Sequence, residues 1–252
     1  MFCMKCGTPL PDDANFCFEC GCDLRNLSQS AGTEFSAVEV GDYVKFGRYP
    51  QKKNETTKEP IEWLVLDVKD DYALIFSCYG LDYKRYHHEY VYDITWENSD
   101  LRKWLNDEFL QIAFSDEELK RIRLSTVVNE EFDGGNNTQD RVFCLSVAEA
   151  ERYFRNADER KCEATDYAYN HGVWIWLDTY SGFAHRCYWW LRSPGDGSWG
   201  PGTAAIVLTR GAICLEGYYV DNNGYAVRPA LWLNLKSFKI ESFVVRRGRC
   251  LL

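Results

Sequence analysis

Hydrophobic and polar positions alternate with period two near the start of the main domain, and two apolar-rich runs follow. Gly41-Asp42-Tyr43-Val44-Lys45-Phe46-Gly47-Arg48-Tyr49 reads as a half-buried strand, and Ile61–Val68 as a second. Tyr72–Ser77 is a third, and Lys69-Asp70-Asp71 predicts a hairpin between the last two. The period then lengthens: Leu101, Trp104, Leu105 and Phe109 recur at helical spacing behind Ser99, a good N-cap. Ser115 with Glu118, and Ser146 with Glu149, predict two capping boxes and two more short helices. Between these helices, Asp133–Asp140 is polar and reads as a turn, because its acidic residues lack the regular spacing of a metal loop. From Tyr188 onward short apolar stretches alternate with Gly-bearing turns. Strands are expected at 204–208, 212–215 and 225–231, joined by turns at 209–211, 215–217 and 222–224. This is an antiparallel meander, and helices flanked by two sets of strands make an α+β domain.

The opening residues follow a different logic. Cys3-Met4-Lys5-Cys6-Gly7 and Cys17-Phe18-Glu19-Cys20-Gly21 form two C-x2-C pairs with ten residues between them. Two residues between thiolates let both sulfurs meet one ion from a tight turn, and the trailing Gly permits the bend behind it. Cys3, Cys6, Cys17 and Cys20 are therefore expected to hold a structural Zn2+ in a closed tetrahedral shell. Cys22 is a spare thiol that can stand in for Cys20, although the matched spacing favours Cys20. So small a module cannot bury enough apolar surface to fold alone, so the metal supplies its folding energy. The expected organisation is a zinc ribbon at 1–24, a linker rich in Ser, Gly, Thr and Asn at 25–38, a main domain at 39–235 and a tail at 236–252.

Composition narrows the function classes. The formal net charge of −9 argues against nucleic acid as the main partner, and the basic Arg246-Arg247-Gly248-Arg249 run is too short to change that. Aromatic residues make up 15% of the chain, with nine Trp and sixteen Tyr, which suits a rigid core and an aromatic recognition surface. Eleven Cys are too many, and odd in number, for complete internal pairing. With no signal peptide ahead of Cys3 and no membrane-length apolar run, the expectation is a cytoplasmic protein with free buried thiols in its main domain.

Five segments carry a resemblance. They are Phe46-Gly47-Arg48-Tyr49-Pro50-Gln51, Pro60-Ile61-Glu62-Trp63, Leu101-Arg102-Lys103-Trp104-Leu105-Asn106, Trp189-Trp190-Leu191-Arg192-Ser193-Pro194-Gly195 and Tyr225-Ala226-Val227-Arg228-Pro229-Ala230-Leu231-Trp232-Leu233-Asn234. Across roughly residues 40–235 the chain resembles a bacterial and phage domain family related to the C-type lectin and formylglycine-generating-enzyme folds. Some members of that family are variable proteins of diversity-generating retroelements. The resemblance implies a C-type-lectin-like frame whose diversified side chains form a ligand-binding face. Small or apolar residues at Ala204, Ala205, Val207, Gly211, Ile213, Gly217 and Val220 would be the frame. Ser198, Trp199, Leu208, Thr209, Arg210, Glu216, Tyr218, Tyr219, Asp221, Asn222, Asn223 and Tyr225 would be the binding positions. Tyr and Asn give rigid contact area and adaptable hydrogen bonds, as in antibody paratopes. The family's calcium-dependent sugar site has no counterpart here, since no Glu-Pro-Asn or Trp-Asn-Asp run occurs.

The expected function is therefore ligand binding, with a protein or peptide as ligand, a second partner at the zinc ribbon, and no catalysis. From the residues, the best enzymatic case pairs His185 with Cys187, or His171 with a nearby acid; the resemblance adds a formylglycine-generating-type oxidase using Cys187 or Cys214. A third reading is a structural or regulatory partner of a phage or mobile element. His87-His88 sits in a Tyr-rich segment, Tyr83–Tyr92, which reads as an exposed aromatic loop more readily than as a paired-His metal site. Arg192 and Arg228, each near a Pro, are expected to be buried and paired with acids or carbonyls.

Overall fold

The computed structural model describes residues 38–53, 57–176 and 186–236. The chain divides into two units, Met1–Ala37 and Val38–Leu252, and the described residues all belong to the second. The four ribbon cysteines, the linker and the 237–252 tail lie outside the described residues. Among the described residues, no helix is long and apolar enough to cross a membrane.

The expected strands of the first third form as three antiparallel strands, β1 (Tyr43–Pro50), β2 (Lys58–Lys69) and β3 (Tyr72–Ser77). The β2–β3 hairpin closes at Asp70 with φ +52°, a left-handed conformation that Asp tolerates. All of β3 after Tyr72 is buried, as a central strand covered on both faces must be. A two-residue strand, β4 (Asp82–Tyr83), follows, and then α1 (Asp100–Asn106), α2 (Glu108–Ala113) and α3 (Asp116–Leu119).

Ser99 caps α1 and both capping boxes form as expected, the second opening α4 (Val147–Tyr153). The helical run through Phe109 breaks at Asp107 into α1 and α2. Asn106 ends α1 because its side chain is committed elsewhere, donating to Val142 O at 2.8 Å and accepting from the Arg141 amide at 2.8 Å. The break lets α2 bury Phe109 against Tyr49, Trp104 and Phe114.

The polar 133–140 stretch is a turn only in part. Thr138–Asp140 forms β6 and pairs with β5 (Ser125–Val127), followed by β7 (Val142–Phe143). After α4 come α5 (Ala157–Arg160), α6 (Asp166–Asn170), and the short pair β8 (Ile175–Trp176) and β9 (Arg186–Cys187). The Gly-rich third supplies β10 (Trp189–Pro194), β11 (Thr203–Val207), β12 (Ile213–Tyr219), β13 (Ala226–Val227) and β14 (Ala230–Asn234).

Two five-stranded sheets result. One has the order β1-β2-β3-β14-β7 and is antiparallel throughout. The other runs β12-β11-β10-β13-β4, antiparallel except where Trp189 pairs with Ala226. Both sheets share one core, with Trp63, Trp96, Trp189 and Trp190 fully buried. The architecture is α+β.

Two expectations for the meander need correction. Leu215-Glu216-Gly217 is not a turn: β12 runs straight through it, and Gly217 sits at φ +70° opposite Ala204, where the β11–β12 register shifts. A Cβ there would lie 2.3 Å from Ala204 O, so the Gly makes a bulge instead of a reversal. The 225–231 strand is likewise two strands in different sheets, because Arg228-Pro229 carries the chain from one to the other.

Candidate functional site

The two signature arginines are frame elements. Arg192, on β10, is 2% exposed; it pairs with Glu149 and donates to Cys144 O, Val128 O and Asn129 Oδ1. Arg228 is 4% exposed. It donates to Ser77 O twice and to Cys78 O, with its guanidinium 4.2 Å from the Phe76 ring centre and 4.9 Å from that of Trp189. A planar group with five fixed donors can tie strand ends in this way, and Lys cannot.

The expected binding positions do not form one patch. Leu208, Thr209 and Arg210 lie in the β11–β12 turn, where Gly211 rests on α5 and accepts from Arg160. Ser198, Trp199, Tyr218, Tyr219, Asp221, Asn222 and Asn223 lie at or beyond the other end of β12. Ile213 to Tyr219 spans about 20 Å at 3.3 Å per residue, so Arg210 does not meet the tyrosines. Tyr225 is a clearer correction. It is 2% exposed and packs on Trp190, with ring centres 4.5 Å apart, and on Tyr218 and Tyr188. It belongs to the floor of the face and not to its surface. Glu216 sits mid-strand and accepts from the Cys214 thiol.

What the tertiary structure assembles is an aromatic ridge around the 199 and 219 positions. Trp199 is 53% exposed and meets Tyr218 edge-on at 5.5 Å. Tyr219 meets Tyr90 at 5.5 Å, and Tyr90 meets Tyr92 at 5.2 Å. Tyr90 and Tyr92 come from the Tyr-rich segment read as an exposed loop, and both are exposed. That loop is pinned by backbone bonds from Gly202 N to Tyr92 O and from His87 N to Val220 O. Composition flagged its aromatics, but nothing local placed them beside Tyr219.

A cleft of about 500 Å³ lies beside Asn223. Asn223 Oδ1 accepts from Tyr83 Oη at 2.5 Å and Arg85 Nε at 2.7 Å, and both of those residues line the cleft. Asp82 forms part of the wall; it is 3% exposed and accepts from Tyr49 Oη at 2.6 Å. Burial pushes its carboxyl above the usual range, against the opposing pull of Lys84 and the Tyr49 bond. Trp104, with Lys84 Nζ 4.7 Å from its ring centre, and Tyr167 supply apolar walls. No short motif marks this cleft, since its residues are drawn from β4, α1 and α6.

The residues weighed for catalysis are scattered. His185 lies outside the described residues. Cys187 is fully buried opposite Cys162, and burial raises its thiol well above the ordinary value. Burial and Glu216 likewise raise Cys214, which lies on β12 in a different sheet. His171 stacks on Tyr167 beside the cleft, at 3.9 Å between ring centres. Neither cysteine has the depressed pKa of an activated thiolate.

Residues 69–235, more than half of the chain, match the family described as a domain of unknown function, DUF6273. The chain belongs to the DUF6273 family. The matched span holds β3 through β14, and therefore both framework arginines, the aromatic ridge and the cleft. Residues 2–24 match a zinc-ribbon domain, and that span contains Cys3, Cys6, Cys17 and Cys20. No curated protein and no solved structure matches the chain. The DUF6273 domain begins, by that match, within the β2–β3 hairpin, so β1 and most of β2 complete its first sheet from outside the matched span.

Proposed function

We propose that the DUF6273 domain is a ligand-recognition module on a C-type-lectin-like scaffold, and that the chain serves as a variable protein of a diversity-generating retroelement. The carrying observation is the separation of frame from display. Trp189, Trp190, Arg192, Ala204, Ala205, Gly217, Val220 and Arg228 are buried, whereas Trp199, Tyr219 and Asn223, which lie between the two signatures, are exposed. Side chains at the exposed positions can change without disturbing the core. The scaffold reading is supported by a first sheet that the last strand completes and a second sheet of short strands with Gly-bearing turns. Exposed Trp and Tyr beside Asn and Asp supply anchors and orienting polar groups, the chemistry suited to a protein or peptide ligand. The zinc ribbon, with Zn2+ as its structural ion, is the natural site for a second partner, and the whole chain would act in the cytoplasm.

The test is selection of peptides from a random display library on the purified full chain, followed by binding to a Trp199→Ala/Tyr219→Ala variant. The reading expects enriched peptides to lose at least tenfold in affinity on the variant while its melting temperature holds. Peptides that bind both proteins alike would place recognition elsewhere. For the retroelement assignment, the surrounding DNA should hold a reverse transcriptase gene and a near-copy of the segment encoding 195–231 that differs mainly at adenines.

A further inference from the structure

We infer that His87, His88 and Asp100 form a binding site for a divalent first-row transition-metal ion, Zn2+ foremost, at the mouth of the cleft. One ligand atom from each residue lies within 4.8 Å of those from the other two. The cluster turns on Asp100 Oδ2, which touches His88 Nδ1 and lies 3.2 Å from His87 Nδ1. In a tetrahedral shell with bonds of about 2.0–2.2 Å, neighbouring donors stand roughly 3.3–3.6 Å apart, so the His87–Asp100 separation is close to that of two ligands sharing an ion, whereas the exposed His88 ring must turn and give up its hydrogen bond to Asp100 to admit the ion.

Hydrogen bonding among the three residues does not by itself account for His87. Its Nδ1 is buried and makes no hydrogen bond, although the carboxylate is near. The two atoms are close without being aimed at each other, as donors directed at a common third point are. A buried ring nitrogen without a partner carries a desolvation cost that a metal bond removes.

The backbone holds the three ligands in place. Asp100 opens α1 directly behind its cap, Ser99. The His88 amide donates to Asp100 Oδ2 at 2.9 Å, the Leu101 amide to Tyr86 O at 3.1 Å, and the His87 amide to Val220 O at 2.9 Å. Helix start, loop and the end of β12 are thereby fixed to one another before any ion arrives.

Two imidazoles and one carboxylate suit Zn2+ and its first-row neighbours better than Ca2+ or Mg2+, which prefer all-oxygen shells. Three protein ligands leave a position open, and His88 and Asp100 line the cleft. The open position therefore faces a space walled by Tyr83, Trp104 and Tyr167, where a bound molecule can complete the shell. This site differs in kind from the closed four-thiolate ribbon, and it stands whether or not the aromatic ridge binds a ligand.

The experiment uses the untagged full chain, stripped with chelator, reloaded with Zn2+ and dialysed, with zinc per chain measured by mass spectrometry. The same is done for His88→Gln, for Asp100→Asn and for a Cys3→Ser/Cys6→Ser variant that isolates the ribbon's contribution. His88 is 64% exposed, so His88→Gln leaves the core intact, and an unchanged melting temperature of the metal-free protein verifies it. The expected result is one zinc fewer in His88→Gln and Asp100→Asn than in the wild type. The ribbon variant should keep the zinc that the histidine variant loses. Equal zinc content in wild type and His88→Gln, at every zinc concentration tried, overturns the inference.

Discussion

Glu149 Oε1 accepts from Arg192 Nη2 at 3.1 Å, while its other oxygen accepts from both Arg192 Nη1 and the Ser146 amide. One carboxylate thus closes the capping box of α4 and neutralises the buried arginine of β10. A local helix-start signal and a framework charge share a single side chain.

That sharing predicts coupling. Glu149→Gln should cost about 2–4 kcal/mol in denaturant unfolding, because Arg192 keeps its carbonyl partners but loses its counter-charge. Ser146→Ala should cost about 1 kcal/mol, the value of a cap. The double variant should cost measurably less than the sum. Strict additivity would mean that the two roles of Glu149 are independent.

Arg228→Lys should destabilise by about 2–4 kcal/mol although charge is conserved. An ammonium cannot bond Ser77 O and Cys78 O together while lying flat on Phe76 and Trp189. A loss below about 0.5 kcal/mol, the level of an ordinary surface change, would show that the fork is not needed.

The glycines of the second sheet divide sharply. Gly217→Ala would place a Cβ 2.3 Å from Ala204 O at φ +70°, and should cost more than about 3 kcal/mol or prevent folding. Gly197→Ala, at φ +82° with open space around it, should cost about 1 kcal/mol of backbone strain alone. Comparable losses at both positions would contradict the bulge geometry.

Display and floor should separate in the same way. Trp199→Ser and Arg210→Ser should fall within about 0.5 kcal/mol of wild type, as exposed positions do. Tyr225→Ala should cost about 3–5 kcal/mol, because it empties the space beneath Tyr218 and beside Trp190. Thermal unfolding of the three variants distinguishes these classes.

Asp82 predicts a pH effect. Its carboxyl titrates above the usual range because of burial, with Lys84, His171 and the Tyr49 and Tyr83 bonds pulling the other way. Between the unfolded pKa of about 4 and the raised native value, the native state holds more protons than the unfolded chain, so this group's contribution to stability falls as pH rises. Asp82→Asn, which keeps an acceptor for Tyr49, removes that loss. Its melting temperature relative to wild type should therefore climb from pH 4 to pH 8. A difference that is constant with pH would mean that Asp82 titrates normally.

The sequence alone determined what local physics controls. Alternation and apolar runs placed β1 to β3, Ser99, Ser115 and Ser146 marked three helix starts, and the two C-x2-C pairs marked the residues of the zinc-ribbon match. Burial of Arg192 and Arg228 was legible as well, because a guanidinium near a proline and next to an apolar run has few other places to go. Tertiary structure alone decided which loops meet. Tyr90 touches Tyr219, and Arg85 reaches Asn223, across more than 120 residues of chain. The burial of Tyr225, the bulge at Gly217 and the approach of His87 and His88 to Asp100 are of the same kind. Capping and alternation are interactions between near neighbours and leave a pattern in the sequence. Sheet register and loop docking pair residues that share no periodicity, so only the closed core fixes them.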